Sequence, residues 1–77
     1  FVKAFEVLAE LPNNLADIRA YFRTADFGQV EIKCRHIPID AEQVRRRLPL
    51  NGNQPAVLIF ARLGGRSRAL ICRRVAN

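Results

Sequence analysis

The chain has no methionine and no tryptophan, and only one histidine, one tyrosine and two cysteines in 77 residues. These scarcities exclude several kinds of chemistry. Cys34 and Cys72 form no Cys-x-x-Cys pair and stand apart from any Cys/His cluster, so a structural zinc site is excluded. Both lie among apolar neighbours, and the expectation is two buried free thiols in a reducing cytoplasm. His36, the sole histidine, has no Ser or Cys nucleophile pattern around it and reads as a structural residue at a strand end. No run of about 18 apolar residues occurs, which excludes a transmembrane helix. Lys3, Glu6 and Glu10 interrupt the opening residues, which excludes a secretory signal peptide. With no methionine and Phe1 in first place, the expectation is a piece of a longer protein, most simply its C-terminal end.

Acid is missing from almost half of the chain. Residues 1–42 hold all seven Asp and Glu against five Lys and Arg. Residues 43–77 hold eight arginines and no acid. A net charge of +6 distributed in this way suits an anionic partner such as nucleic acid. The bland alternative is compositional. Arginine outnumbers lysine eleven to two, a bias that a GC-rich genome produces without function.

The remaining composition is that of a globular domain, 49% hydrophobic, in a chain with room for one core. A single domain over 1–77 follows. Phe5, Val7, Ala9 and Leu11 alternate with Glu6, Leu8 and Glu10, which is strand periodicity, and Pro12 ends it. Asn14 suits a helix N-cap, and Leu15, Ile18, Tyr21, Phe22 and Ala25 recur at helical spacing, with Gly28 placed to close the helix. Gln29–His36 alternates again, with Val30, Ile32 and Cys34 on the apolar face and Glu31, Lys33 and Arg35 on the polar one. Asp40 caps a second helix, and Gln43 three residues later completes a box-like pattern. That helix carries Ala41, Val44 and Leu48 on one side and ends at Pro49. Residues 56–62 and 68–75 are strands apolar on both faces, joined by a tight hairpin at Gly64-Gly65.

The order β-α-β-α-β-β places both helices on one face of one sheet. The expected fold is α+β: a two-layer sandwich with a mixed four-stranded sheet, order 1-2-4-3, strand 4 antiparallel to the rest. Its helix-free face would carry an apolar patch, expected from Leu8, Leu58, Phe60 and Leu70 or their alternates, and such patches usually mark an interface.

Several pieces in order carry a resemblance: Asp26-x-Gly28-x-Val30-Glu31-Ile32-Lys33-x-Arg35, then Asp40, then Arg45-Arg46-Arg47-Leu48, then Gly64-Gly65-Arg66 before a strand ending Arg73-Arg74. Together they resemble the THUMP-like domain at the C-terminus of class I S-adenosylmethionine-dependent methyltransferases of the actinobacterial type. The resemblance spans nearly the whole chain. Cys34 departs from it, standing where such sequences often show a second basic residue. The resemblance implies a parent methyltransferase whose separate catalytic domain binds S-adenosylmethionine, and a non-catalytic accessory role for this piece. It also implies RNA as the partner, since THUMP domains proper bind RNA and present it to modifying enzymes.

The residues themselves allow two readings. In the first, Lys33, Arg35, Arg45, Arg46, Arg47, Arg66 and Arg68 form a nucleic-acid-binding surface. Arginine's planar fork donates two parallel hydrogen bonds to phosphate, and a cluster of them grips a backbone without reading sequence. That reading expects Arg45, Arg47, Arg66 and Arg68 on one open surface; the bland alternative is a solvated surface with pairs such as Glu42–Arg46 at helical spacing. In the second reading, the free sheet face packs on the parent's catalytic domain or self-associates, without RNA. Neither reading gives this piece a catalytic site, metal or cofactor of its own: the strand-to-helix glycine turn that cradles a nucleotide-like cofactor is absent.

Overall fold

The structure, a computed structural model, describes residues 4–35 and 37–75. The elements run β1 (Ala4–Pro12), α1 (Leu15–Thr24), β2 (Phe27–Cys34), α2 (Ala41–Arg47), β3 (Gln54–Leu63) and β4 (Arg66–Val75). The fold is the expected α+β two-layer sandwich with a mixed four-stranded sheet. His36 lies outside the described residues.

Each helix starts where its cap dictates. The Asn14 side chain accepts from the amides of Ala16 (2.8 Å) and Asp17 (3.4 Å). The Asp40 side chain accepts from the Gln43 amide at 3.2 Å. Ile18 and Phe22 of α1, one turn apart, are buried against the sheet, and Val44 and Leu48 bring α2 onto the same face. There they meet Ala56, Leu58 and Phe60 of β3 and Ala69 and Ile71 of β4. Phe27 is wedged between Phe22 (ring centroids 5.1 Å apart) and Tyr21 (6.5 Å), tying α1 to the start of β2.

The sheet order is β1-β4-β3-β2. Strands 3 and 4 are neighbours, and β4 runs antiparallel to its partners β1 and β3 while β2 and β3 run parallel. β2 lies beside β3 at the sheet edge, where the order 1-2-4-3 would set it between β1 and β4. Its alternating sequence explains this. Glu31 is exposed and Lys33 half-buried, which suits an edge, whereas the doubly apolar β3 and β4 take the centre. Gly64 (φ 59°) and Gly65 (φ 80°) adopt the left-handed conformation that a two-residue hairpin between β3 and β4 needs.

Three local expectations change. First, β1 has a bulge: the register passes from Val7↔Cys72 to Ala9↔Ile71, with Leu8 as the extra residue. The alternation therefore flips at Leu8. Ala9 and Leu11 pack on the core, while Phe5 and Val7 turn to the helix-free face and are exposed. Second, Gly28 does not cap α1. The helix ends at Ala25, and Gly28 lies inside β2. A Cβ there would sit 2.1 Å from the Gly52 carbonyl oxygen, so glycine lets the α2–β3 loop close on the strand. Third, Cys34 is exposed at the end of β2, and only Cys72 is buried, where desolvation pushes its thiol pKa up.

Of the four residues expected in the apolar patch, Leu58 and Phe60 instead face the helices in the core, and Leu70 is half-buried. Leu8 stays exposed and is joined by Phe5, Val7 and Val75.

Candidate nucleic-acid interface

Strand register decides where the basic residues point. Lys33 lies beside Ile59, Arg68 beside Ala61, and Arg66 beside Leu63, all on the sheet face away from the helices. Arg35 continues β2 past its last residue. Its amide donates to the Phe60 carbonyl at 2.9 Å, and alternation puts its side chain on the same face as Lys33. These four residues thus gather at the hairpin end of the free face.

Arg45, Arg46 and Arg47 are elsewhere. They lie on α2, across the sheet from Arg66 and Arg68. The single surface expected for Arg45, Arg47, Arg66 and Arg68 does not form, because Val44 and Leu48 fix α2 over the core while β4 turns Arg66 and Arg68 the other way. The two groups approach each other only around β2. Arg45 Nε donates to the Val30 carbonyl oxygen at 3.5 Å, which holds α2 to the strand that also carries Lys33.

Carboxylates already hold some of these cations. Lys33 pairs with Glu31 at 3.4 Å and Arg68 with Glu10 at 2.9 Å. Arg45 pairs with Glu42, one position earlier than the Glu42–Arg46 spacing suggested. Arg35, Arg46, Arg47 and Arg66 are exposed and have no ion-pair partner among the described residues. Arg62 is equally open beside the hairpin and was missed from sequence. It stands on the opposite face of β3 from Ala61, paired with Ser67 across the hairpin, so its side chain leaves the sheet on the face opposite Arg66. At the other end of the sheet, Arg73 pairs with Glu6, and Arg74 with Glu31. The hydrogen bond from Arg74 lowers the Glu31 pKa against a smaller opposing effect of burial, with the Arg74 and Lys33 charges adding to the lowering. Arg74 also lies over the Phe5 ring, 5.3 Å from its centroid.

Among the described residues no group of three or more His, Cys, Asp or Glu side chains could hold a metal ion. No helix of these residues is long and apolar enough to cross a membrane. Neither pair of close glycines offers a strand-to-helix cradle for a nucleotide-like cofactor: Gly64-Gly65 is a hairpin, and Gly28 and Gly52 are packed against backbone.

A family model described as THUMP domain-like matches residues 2–74. The chain belongs to the THUMP domain-like family. Two curated relatives, both named uncharacterised S-adenosylmethionine-dependent methyltransferases, come from two strains of Mycobacterium tuberculosis (CDC 1551/Oshkosh and ATCC 25618/H37Rv). Each is 34% identical over 76 residues, covering 94% of this chain and 21% of the relative. The chain thus spans about a fifth of the length of the curated relatives it matches. No solved structure matches significantly.

Several residues that carry the sequence resemblance have structural work in this THUMP-like domain. Asp26 and Gly28 lock the loop before β3: the Asp26 side chain accepts from the Asn53 amide (3.0 Å) and its carbonyl from the Gln54 amide (2.7 Å). Asp40 caps a helix, and Gly64-Gly65 turns a hairpin.

Proposed function

We propose that this THUMP-like domain is a non-catalytic accessory domain of an S-adenosylmethionine-dependent methyltransferase that binds and positions RNA by its phosphates. S-adenosylmethionine belongs in this reading to a separate catalytic domain of the full protein, and the cytoplasm is where such a protein works. Supporting it are Arg35, Arg46, Arg47 and Arg66, four of the exposed arginines that have no carboxylate partner among the described residues, disposed around β2, α2 and the hairpin. Lys33, Arg45 and Arg68 lie beside them, each paired with a carboxylate that in the case of Lys33 is shared with Arg74, and would contribute less. Tyr21 and the buried phenylalanines serve the core and the exposed Phe5 carries Arg74 over its ring, so this reading takes folded RNA gripped by shape and phosphate rather than stacking on unpaired bases.

The test is binding of a folded transfer-RNA-like RNA across a salt series. Removing Arg35, Arg46, Arg47 and Arg66 together should lower the salt slope by roughly three to four, near 0.9 per phosphate contact on a duplex. No binding by the unaltered protein at low salt, or an unchanged slope in the variant, refutes the RNA reading. The exposed Phe5, Val7 and Leu8 favour a second role that is compatible with the first: packing on the rest of the methyltransferase.

A further inference from the structure

The sheet splits at one end. β3 and β4 are paired only from Leu63↔Arg66 to Val57↔Cys72. Beyond that, Gln54–Ala56 pair only with β2, and Arg73–Val75 pair only with β1. The Gln54 amide donates to Asp26 and the Phe60 carbonyl accepts from Arg35, so even-numbered residues of β3 bond towards β2 and odd-numbered ones towards β4. Continuing the register sets Pro55 opposite Arg74. Proline has no N–H, so the ladder stops there. The result is a cleft of about 710 Å³ between two ribbons, lined by Leu8, Gln29, Pro55, Val57, Arg74 and Val75 among others. By the same alternation, the backbone N–H and C=O of Arg74 point into it.

We propose that this cleft receives an extended polypeptide segment from the part of the methyltransferase outside residues 1–77, laid along the Arg74 edge of β4. The proposal rests on the accessory-domain reading above and gives its packing role a site. Three observations favour this occupant. Among the described residues, the exposed apolar side chains of Leu8 and Val75 line the cleft, and the exposed Phe5 lies opposite Arg74 on β1. Ala4 pairs with Val75, so polypeptide continuing beyond either end of the described chain is tethered at the rim, which raises its effective concentration there. The curated relatives are matched over only 21% of their length, which leaves a large body of chain to dock. A free strand edge takes up an extended segment by main-chain bonds, with apolar side chains giving specificity. RNA fits less well: Arg73 and Arg74 are held by Glu6 and Glu31, and Glu31 lines the cleft.

The test is residue-resolved amide hydrogen exchange on the full-length protein without RNA. The Arg74 amide should be protected. A Leu8→Glu/Val75→Glu variant should exchange it about tenfold faster while the amides of Ile18 and Phe22 in α1 stay protected. Leu63→Glu, an equally exposed apolar site at the opposite end, should leave Arg74 unchanged. If the double variant loses α1 protection, Val75→Glu alone gives the reading, since Val75 lines the cleft, is 45% exposed and is outside the core. An Arg74 amide that is open in the full-length protein, or protected only when RNA is added, overturns the docking proposal and leaves the accessory-domain reading standing. A full-length protein without a methyltransferase region overturns both.

Discussion

Replacing Gly28 by alanine should destabilise the domain more than the same change at either hairpin glycine, Gly64 or Gly65. The added Cβ would lie 2.1 Å from the Gly52 carbonyl oxygen and 2.9 Å from its carbon, both backbone atoms with no rotamer to escape into. The loop must retreat by roughly an ångström, the gap between 2.1 Å and an ordinary contact. Three bonds hold that loop to β2: Gly52 amide to Phe27 carbonyl (2.9 Å), Gln54 amide to Asp26 carbonyl (2.7 Å) and Asn53 amide to the Asp26 side chain (3.0 Å). At about 1 kcal/mol each, losing two or three costs roughly 2–3 kcal/mol. A domain of this length holds only about 4–12 kcal/mol in total. With a urea slope of about 1 kcal/mol/M, the midpoint should fall by roughly 2 M. Gly64→Ala is the control. Its Cβ meets nothing within 4 Å, and the cost is the left-handed backbone alone, about 1 kcal/mol. Urea titration of the two variants decides. If Gly28→Ala unfolds at the same midpoint as the unaltered protein, or later than Gly64→Ala, the loop lock is not what Gly28 provides.

Two further outcomes follow from single residues, beside the RNA titration proposed above. Native protein treated with a thiol reagent should label at Cys34 within the mixing time and at Cys72 only as it unfolds, because one thiol is exposed and the other buried with a raised pKa; peptide mapping showing equal labelling would contradict the burial. Glu31, whose pKa is lowered chiefly by the Arg74 hydrogen bond, contributes stability that is present above the ordinary glutamate value of about 4.3 and lost as pH falls through the lowered folded value. Denaturant titrations from neutral pH down to about pH 3 should therefore show the unaltered protein converging on Glu31→Gln as acid is added, and a stability difference independent of pH would rule the contribution out.

The sequence discloses most of this fold because its local signals agree with the tertiary outcome. Asn14 and Asp40 cap the helices they were expected to cap, and Gly64-Gly65 turns the hairpin. The errors share a cause. Alternation gives the relative facing of residues along a strand only while the ladder is regular. One bulged residue, Leu8, moved Phe5 and Val7 from the core to the free face. Strand order is likewise not local. β1 and β4 pair across most of the chain, and nothing near either strand records the choice. The site was harder to read than the fold. Runs of arginine are visible in sequence, but which sheet face each reaches depends on register, and which of them a carboxylate neutralises depends on residues far away, such as Glu10 beside Arg68.

Membership of the THUMP domain-like family therefore weighs unequally on the two halves of the proposed function. The pattern by which the sequence resembles the family includes Asp26, Gly28, Asp40 and the glycine pair, all occupied with holding backbone in place. A relative could keep these residues, fold identically and bind no RNA. The arginines do not stabilise the fold in this way: Arg46, Arg47 and Arg66 are exposed and make no ion pair among the described residues. Such surface side chains cost little to replace, usually within about 0.5 kcal/mol. Mutating them thus separates the two questions. An Arg46/Arg47/Arg66→Ala variant that keeps the stability of the unaltered domain and loses RNA assigns the arginines to the partner. If it loses stability as well, they belong to the fold, and the electrostatic case for RNA falls with them.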